Sequence, residues 1–306
     1  MKLVKSFFSE QLVEWPLAKQ NYEALNKVLV RDIDLGGSSV RIQFNPERMR
    51  SSAAKIDTKS IQERKCFLCP AHLPAEQRGI PFGKDYQILV NPFPIFPMHL
   101  TVPVLDHIDQ LIYDRFGDML DLAETLNDFV VFYNGPKCGA SAPDHMHFQA
   151  GNKGFLPLEK DVRQLKRNVI ISNDEIQCFT LQGYYRNVIV LESGKKNCVV
   201  ELFNRIYASL EIKSDEKEPM LNIVTWFEEG KWISCIFPRE VHRPACFYAE
   251  GDDNLLISPA SVDLGGVCVF PLEKDFNKVT AADIKKVFSE ICVNDDNLMK
   301  ILNKIQ

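Results

Sequence analysis

Apolar residues recur along this chain in two rhythms, and each predicts a kind of element. Short runs rich in Val, Ile, Leu and Phe, bounded by turn residues, predict strands over 86–90 (YQILV), 99–103 (HLTVP), 128–133 (DFVVFY) and 145–149 (HMHFQ). A second group follows at 187–191, 221–227, 231–237 and 266–270. Between 221–227 and 231–237, Glu228-Glu229-Gly230 reads as a three-residue hairpin connection, with glycine where a positive φ is wanted. Helical spacing appears over 114–128, apolar at 116, 119, 120, 122, 123 and 126. It recurs over 280–292, where Thr280 and Asp283 form a capping box, near 194–210 and over 295–305.

The pattern also echoes itself. ILVNPFPIFPMHLTVP (88–103) with its following helix parallels LLISPASVDLGGVCVFP (255–271) with the helix at 280–292, and PLEKD occurs at both 157–161 and 271–275. The expected architecture is α+β, mainly antiparallel sheet with flanking helices, in two related units over 1–165 and 166–306. The charged stretch 213–219, ending in Pro219, reads as a solvated loop between elements.

Composition narrows the class. With 45% hydrophobic and 25% charged residues the chain has the balance of a soluble globular protein, and 306 residues suit two lobes. A net charge of −5 argues against a nucleic-acid groove or an anionic membrane surface as partner. No apolar run approaches the roughly 18 residues that span a bilayer. Ser9, Glu10 and Glu14 interrupt the stretch where a secretory leader would need unbroken apolar residues. Nine cysteines, mostly single within apolar runs, are distributed as reduced thiols, so the expected location is cytoplasmic.

The chemistry concentrates in Asp144-His145-Met146-His147-Phe148-Gln149. On a strand, His145, His147 and Gln149 share one face while Met146 and Phe148 turn to a core. Three polar groups on one face of an apolar strand need partners or a ligand, and a solvated edge strand is the plainer alternative. The preceding loop, Asn134-Gly135-Pro136-Lys137-Cys138-Gly139-Ala140-Ser141-Ala142-Pro143, supplies backbone amides, a lysine and a hydroxyl suited to phosphate.

FYNGPKCGASAPDHMHFQ resembles the active-site segment of the histidine-triad superfamily, in its His-x-His-x-Gln transferase branch. That branch holds galactose-1-phosphate uridylyltransferase, the diadenosine tetraphosphate phosphorylases and the GDP-hexose phosphorylases. NPFPIFPMHLTVP resembles the strand-turn-strand wall of the family's nucleotide pocket. The resemblance implies that His147 is a nucleophile that becomes nucleotidylated, with Gln149 stabilising a non-bridging oxygen and His145 beside them. It implies phosphate and substrate contacts from Lys137, Ser141, Arg48 and Arg50, and packing of base and ribose by Asn91 and Phe93. The function it implies is a nucleotidyltransferase or phosphorylase acting on a nucleotide sugar or dinucleoside polyphosphate, with phosphate or a sugar phosphate as acceptor. A hexose-1-phosphate uridylyltransferase is the alternative within this chemistry, and a nucleotide-binding regulatory protein without turnover the alternative outside it. The resemblance leaves the oligomeric state open, a dimer included.

Cys66-Phe67-Leu68-Cys69 is half of a metal site by spacing, with His72 as a local third candidate. The uridylyltransferase pattern implies a fuller set for structural zinc: Cys66, Cys69, His107 and His145. Arg239, His242 and Arg243 form a basic cluster that reads as a solvated loop after a strand, with a substrate-phosphate or sugar contact as the alternative.

Overall fold

The structure, a computed structural model, describes residues 2–48 and 64–306. Its centre is a ten-stranded antiparallel sheet. The strands are β3 (Gly79–Phe82), β4 (Tyr86–Val90), β5 (His99–Pro103), β6 (Phe129–Asn134), β7 (His147–Asn152), β8 (Arg167–Ser172), β9 (Gln177–Leu181), β10 (Ile189–Ser193), β11 (Leu221–Glu228) and β12 (Lys231–Pro238). Their spatial order is β3-β4-β5-β7-β6-β11-β12-β10-β9-β8. Counted from either edge, the first five strands and the last five follow the same path: three strands in sequence, then the fifth, then the fourth. The two runs meet where β6 pairs with β11, Asn134 opposite Asn222.

A helix stands at the same point of each run, α3 (Phe116–Thr125) before β6 and α5 (Lys196–Ser209) before β11. The internal repeat therefore aligns β4–β5–α3 with β9–β10–α5, not with residues 255–271 as the sequence echo has it. Those residues carry β13 (Val267–Phe270), which pairs in parallel with β2 (Ser39–Phe44) in a separate three-stranded sheet, β1 (Leu29–Asp34) completing it. The echo compared apolar content, which any two buried strands share.

Alternation along the strands sends side chains to two cores. On one face, Phe129, Val131, Tyr133, Phe148 and Ala150 pack beneath α3 and α5, together with α1 (Lys2–Glu14) and the C-terminal α10 (Asp295–Ile305). On the other, Val130, Phe132, Ile233, Cys235 and Phe237 pack beneath the small sheet, α4 (Pro157–Gln164) and α9 (Ala281–Ile291), α9 opening on the Thr280–Asp283 capping box. Three short helices, α6 (Ala245–Tyr248), α7 (Ser261–Leu264) and α8 (Glu273–Lys278), complete this second cover, and α2 (Pro16–Leu25) follows α1.

Strand pairing continues to Glu228 opposite Lys231, so the hairpin turn is two residues rather than three. Both Glu229 (φ 50) and Gly230 (φ 76) take the left-handed conformation that such a turn demands. Among the described residues no helix is long and apolar enough to cross a membrane.

Candidate functional site

β7 begins at His147, so His145 belongs to the turn before it, and the two imidazoles do different things. His147 and Gln149 line a cavity of about 660 Å³ on the second face of the sheet. His145 faces a pair of cysteines instead.

The His147 ring is held by its neighbour's backbone. Nδ1 lies 2.8 Å from the His145 carbonyl oxygen, which can only accept, so the proton is on Nδ1 and the lone pair on Nε2. Burial pushes this imidazole down to about 4, against the pull of that carbonyl, so the ring is neutral near pH 7. A neutral imidazole with a lone pair toward a cavity has the form in which imidazole can act as a nucleophile.

Gln110, which the sequence reading passed over, clamps the backbone of the same residue. Its Oε1 accepts from the His147 amide at 2.7 Å, and its Nε2 donates to the His147 carbonyl at 3.1 Å and the Asn134 carbonyl at 3.0 Å. The Gln110 carbonyl meets the Tyr133 hydroxyl at 3.1 Å, and that hydroxyl is 2.5 Å from buried Glu218. One hydroxyl proton cannot serve both oxygens. Burial pushes Glu218 up to about 7, and a protonated Glu218 resolves the conflict by donating to Tyr133 while Tyr133 donates to Gln110. No local signal marks either residue, because each acts through contacts far away in sequence.

The cavity is walled by the first run of strands, by the loops around it and by the chain that follows β12. Asn91 donates to Thr101 Oγ1 at 2.9 Å and accepts from the Phe93 amide at 2.9 Å, and both Asn91 and Phe93 line the cavity. Arg48 lines it too and donates to the Phe93 carbonyl at 2.8 Å. Ser141 contributes to the rim, its carbonyl accepting from Arg64, which also pairs with Asp144 at 3.1 Å. Gly139, at φ +97, lets the loop pass against Ala260, where a Cβ would lie 2.4 Å from the alanine methyl. Lys137 is half exposed, pairs with Glu216 and is not among the lining residues. Arg50 lies outside the described residues.

The basic cluster of the second half divides. Arg239 is buried and braces the fold, donating to Asn222, to the Pro259 and Ile291 carbonyls and to those of Val241 and His242. His242 and Arg243 line the cavity, with Arg243 Nε on the Ser258 hydroxyl at 2.9 Å. The solvated loop expected from the sequence is thus a wall of the site, because the chain folds back over the sheet after β12.

Cys66, Cys69, His107 and His145 converge, their ligand atoms all within 4.8 Å of one another, as a group that could hold a metal ion. Sulfur-to-nitrogen distances are 3.2 Å for Cys66–His145, 3.2 Å for Cys69–His107 and 3.5 Å for Cys69–His145. His145 Nε2 donates to the Val104 carbonyl at 2.8 Å, which turns its Nδ1 lone pair to the sulfurs. His107 presents Nδ1 likewise, with Asp144 3.6 Å from its Nε2. Burial opposes a thiolate at Cys66, but a hydrogen bond from His145, when its ring also carries a proton on Nδ1, and those of the Leu68 and Cys69 amides outweigh it and draw the thiol down to about 6. His72 turns away, its Nδ1 3.0 Å from the Cys66 carbonyl.

Comparison with known proteins adds the fold's lineage. A family described as a domain of unknown function (DUF4922) matches residues 7–152. Among curated proteins there is no match. The crystal structure of yeast Ap4A phosphorylase Apa2 superposes with a TM-score of 0.57 at 16% identity, covering 90% of this chain and 93% of that one. The same yeast enzyme in complex with AMP gives 0.56 at 16% identity, over 92% and 96% of the two chains. Its complex with Ap4A gives 0.56 at 14% identity, over 91% and 97%. The α+β fold of this chain is thus the one seen in these yeast phosphorylase structures.

Proposed function

We propose that this chain, carrying the histidine-triad-like fold, is a nucleotidyltransferase of phosphorylase type that works through a nucleotidyl-His147 intermediate. The observation that carries the reading is the His147 ring at the cavity wall, neutral, with its only proton tied to the His145 carbonyl. Its Nε2 lone pair attacks the α-phosphorus of a nucleotide-containing pyrophosphate. A P–N bond forms, and the P–O bond to the leaving polyphosphate or sugar phosphate breaks. An oxygen of the acceptor, inorganic phosphate or a sugar phosphate, then forms a new P–O bond as the P–N bond breaks, and the imidazole returns with its Nδ1 proton unmoved. Gln149 stabilises charge on a non-bridging oxygen. Arg48, Ser141 and Arg243 supply the polar wall for the remaining phosphates, and Asn91 with Phe93 packs the nucleoside.

The substrate class is a dinucleoside polyphosphate or a nucleoside-diphosphate sugar. The yeast phosphorylase with the same fold is known in complex with Ap4A and with AMP, which supports the first. The chain is read as two units, 1–165 carrying the nucleophile and 166–306 closing the cavity with His242, Arg243 and Asp263.

The metal is zinc, held by Cys66, Cys69, His107 and His145. Zinc with ordinary bond lengths to sulfur and imidazole nitrogen has tetrahedral S···N edges of about 3.5 Å, close to the separations here. Bound there, it ties the Cys66–Cys69 loop to the turn entering β7 and does no chemistry. The same four donors favour a second reading, hexose-1-phosphate uridylyltransferase, since that pattern in the sequence includes all of them.

Phosphorolysis assayed over diadenosine polyphosphates and ADP-, GDP- and UDP-sugars separates the two readings by substrate and acceptor. Radiolabelled nucleotide transferred to the protein, stable to alkali, labile to acid and absent from His147→Gly, is the expected result. Reversible nucleotide binding with no adduct from any of these compounds would leave a regulatory protein. Elemental analysis of protein purified without chelator is expected to find one zinc per chain.

A further inference from the structure

We propose that His99 is a positioning residue: its imidazole sets the direction of the Gln149 carboxamide, so that the amide NH2, and not the amide oxygen, faces the cavity. The inference rests on the reading of Gln149 as the group that meets a phosphoryl oxygen, and extends it to a residue that the transfer chemistry does not use.

The argument follows one proton. The Ile95 amide lies 3.2 Å from His99 Nδ1. An amide N–H can only donate, so Nδ1 carries the lone pair, and the proton of the neutral ring is on Nε2. Nε2 is 3.0 Å from Gln149 Oε1. An N–H requires an acceptor there, so the carboxamide oxygen is fixed toward His99 and the NH2 group turns away. Gln149 lines the cavity, and its NH2 has no other hydrogen-bond partner among the described residues. Left to itself, a carboxamide turns over freely and presents donor or acceptor; next to this tautomer it presents only donors.

The ring has no freedom to change its role. His99 is completely buried, with its centroid 5.4 Å from Phe96 and 5.8 Å from Phe132. Its backbone is clamped at both ends by one hydroxyl: Tyr22 accepts from the His99 amide at 3.2 Å and donates to its carbonyl at 3.0 Å. Across the β5–β7 ladder His99 faces Gly151, and a Cβ there would fall 2.2 Å from the Phe96 ring. The absent side chain makes room for the aromatic that fixes the imidazole. Burial, with the charge of Arg48 nearby, pushes His99 down to about 3, so a second ring proton, which would point at the Ile95 N–H, does not bind.

The consequence is selectivity at one point of the wall. A phosphoryl oxygen gaining charge is met by a donor that needs no reorientation, whereas a ligand group that donates is refused.

Nitrogen-15 spectra of histidine-labelled, ligand-free wild-type protein test the tautomer directly, with His99 assigned by the signal missing from His99→Gln. A proton on Nε2 alone is expected at neutral pH; a proton on Nδ1, or on both nitrogens, overturns the proposal. Kinetics with diadenosine tetraphosphate and inorganic phosphate supply the second readout, on variants whose folding is checked by circular dichroism. His99→Phe is expected to lower kcat by about tenfold or more, up to the roughly 10²–10³-fold of a fully lost oxyanion donor, while KM stays within roughly twofold. His99→Gln, which keeps an N–H for the Gln149 oxygen, is expected to recover most of that loss. Equal losses in both variants, or a loss confined to KM, contradict the positioning role. If wild type forms no adduct, the transfer reading fails, and the nitrogen spectra still decide the tautomer.

Discussion

β7 and β12 hold the same place in two runs of five strands that trace the same path, yet one edges a cavity and the other lies in a closed core. On the second face of the sheet β7 presents His147 and Gln149, and β12 presents Ile233, Cys235 and Phe237. The backbone scaffold is common. The difference lies in what the side chains are and what lies over them. Over β12, the small sheet with α9 and its neighbours brings Phe270, Val287 and Phe288 onto the apolar face and fills it. Over β7, the cover is a rim of loops whose residues point polar groups inward, so space remains. A single fold thus yields a filled half and an open half that holds the cavity, and the open half depends on the filled one for His242, Arg243 and Asp263.

The largest expected effect strikes the open half alone. His147→Gly is expected to reduce nucleotidyl transfer by about 10⁴-fold or more while leaving the unfolding midpoint nearly unchanged, as read by adduct formation and urea denaturation. A residual rate within tenfold of wild type would mean that the two faces differ in shape but not in chemistry.

The mirror experiment is Phe237→Ala in the filled half. Removing a fully buried ring is expected to cost about 3–5 kcal/mol in denaturant unfolding, with the rate per folded molecule retained. A loss of activity without a loss of stability would show that the closed half is not merely a support.

Gln110→Leu sharpens the contrast within the open half. It strips two backbone partners from His147 and one from Asn134, and is expected to cost about 2–3 kcal/mol, with a fall in kcat greater than the rise in KM. β7 is paired by β5 at His147, but its pairing with β6 starts only at Gln149, and Gln110 takes the vacant edge; β12 is paired on both edges over 232–236 and needs no such clamp.

The smallest effect is pH-dependent. Folded Glu218 keeps its proton up to about 7, whereas the unfolded chain releases it near the ordinary glutamate value of 4.5. The folded state therefore binds more protons across that window, and this group's contribution to stability falls as pH rises from 4.5 through about 7. Glu218→Gln, which imitates the protonated carboxyl, is expected to flatten that part of the stability profile and to shift stability by about 1 kcal/mol or less at pH 5. An unchanged slope would remove Glu218 from the account of how His147 is held.

Much of this site was legible in the chain as written. The strands at 86–90, 99–103, 221–227 and 231–237 and the capping box of α9 follow from the sequence pattern, and the four donors Cys66, Cys69, His107 and His145 from the resemblance. His147 and Gln149 were named together, and they line one cavity. Other readings changed. His145 precedes the strand instead of sharing its face, because the chain turns there to bring its ring to the cysteines. Lys137 spends its charge on Glu216, a partner that loop composition does not announce. Of the two readings of His242 and Arg243, solvated loop or substrate contact, the first gives way, since both residues line the cavity. The helices at the amino terminus and the strands β1, β2, β3, β8 and β9 lie outside the predicted elements; among them, β8 and β1 keep half-exposed or exposed apolar positions, which blurs the periodic signal.

Periodicity and spacing are local, and they sufficed for whatever local forces decide: which segments are strands, which residue caps a helix, which imidazole lies beside which amide on one strand. Gln110 under His147, Glu218 under Tyr133, His99 against Gln149 and Arg239 across Asn222 join residues 37, 85, 50 and 17 positions apart, and no short window of sequence contains both partners of the longer pairs. Those pairings exist because buried polar atoms must find partners once the sheet has assembled, and assembly of the whole chain alone decides which atoms come within reach.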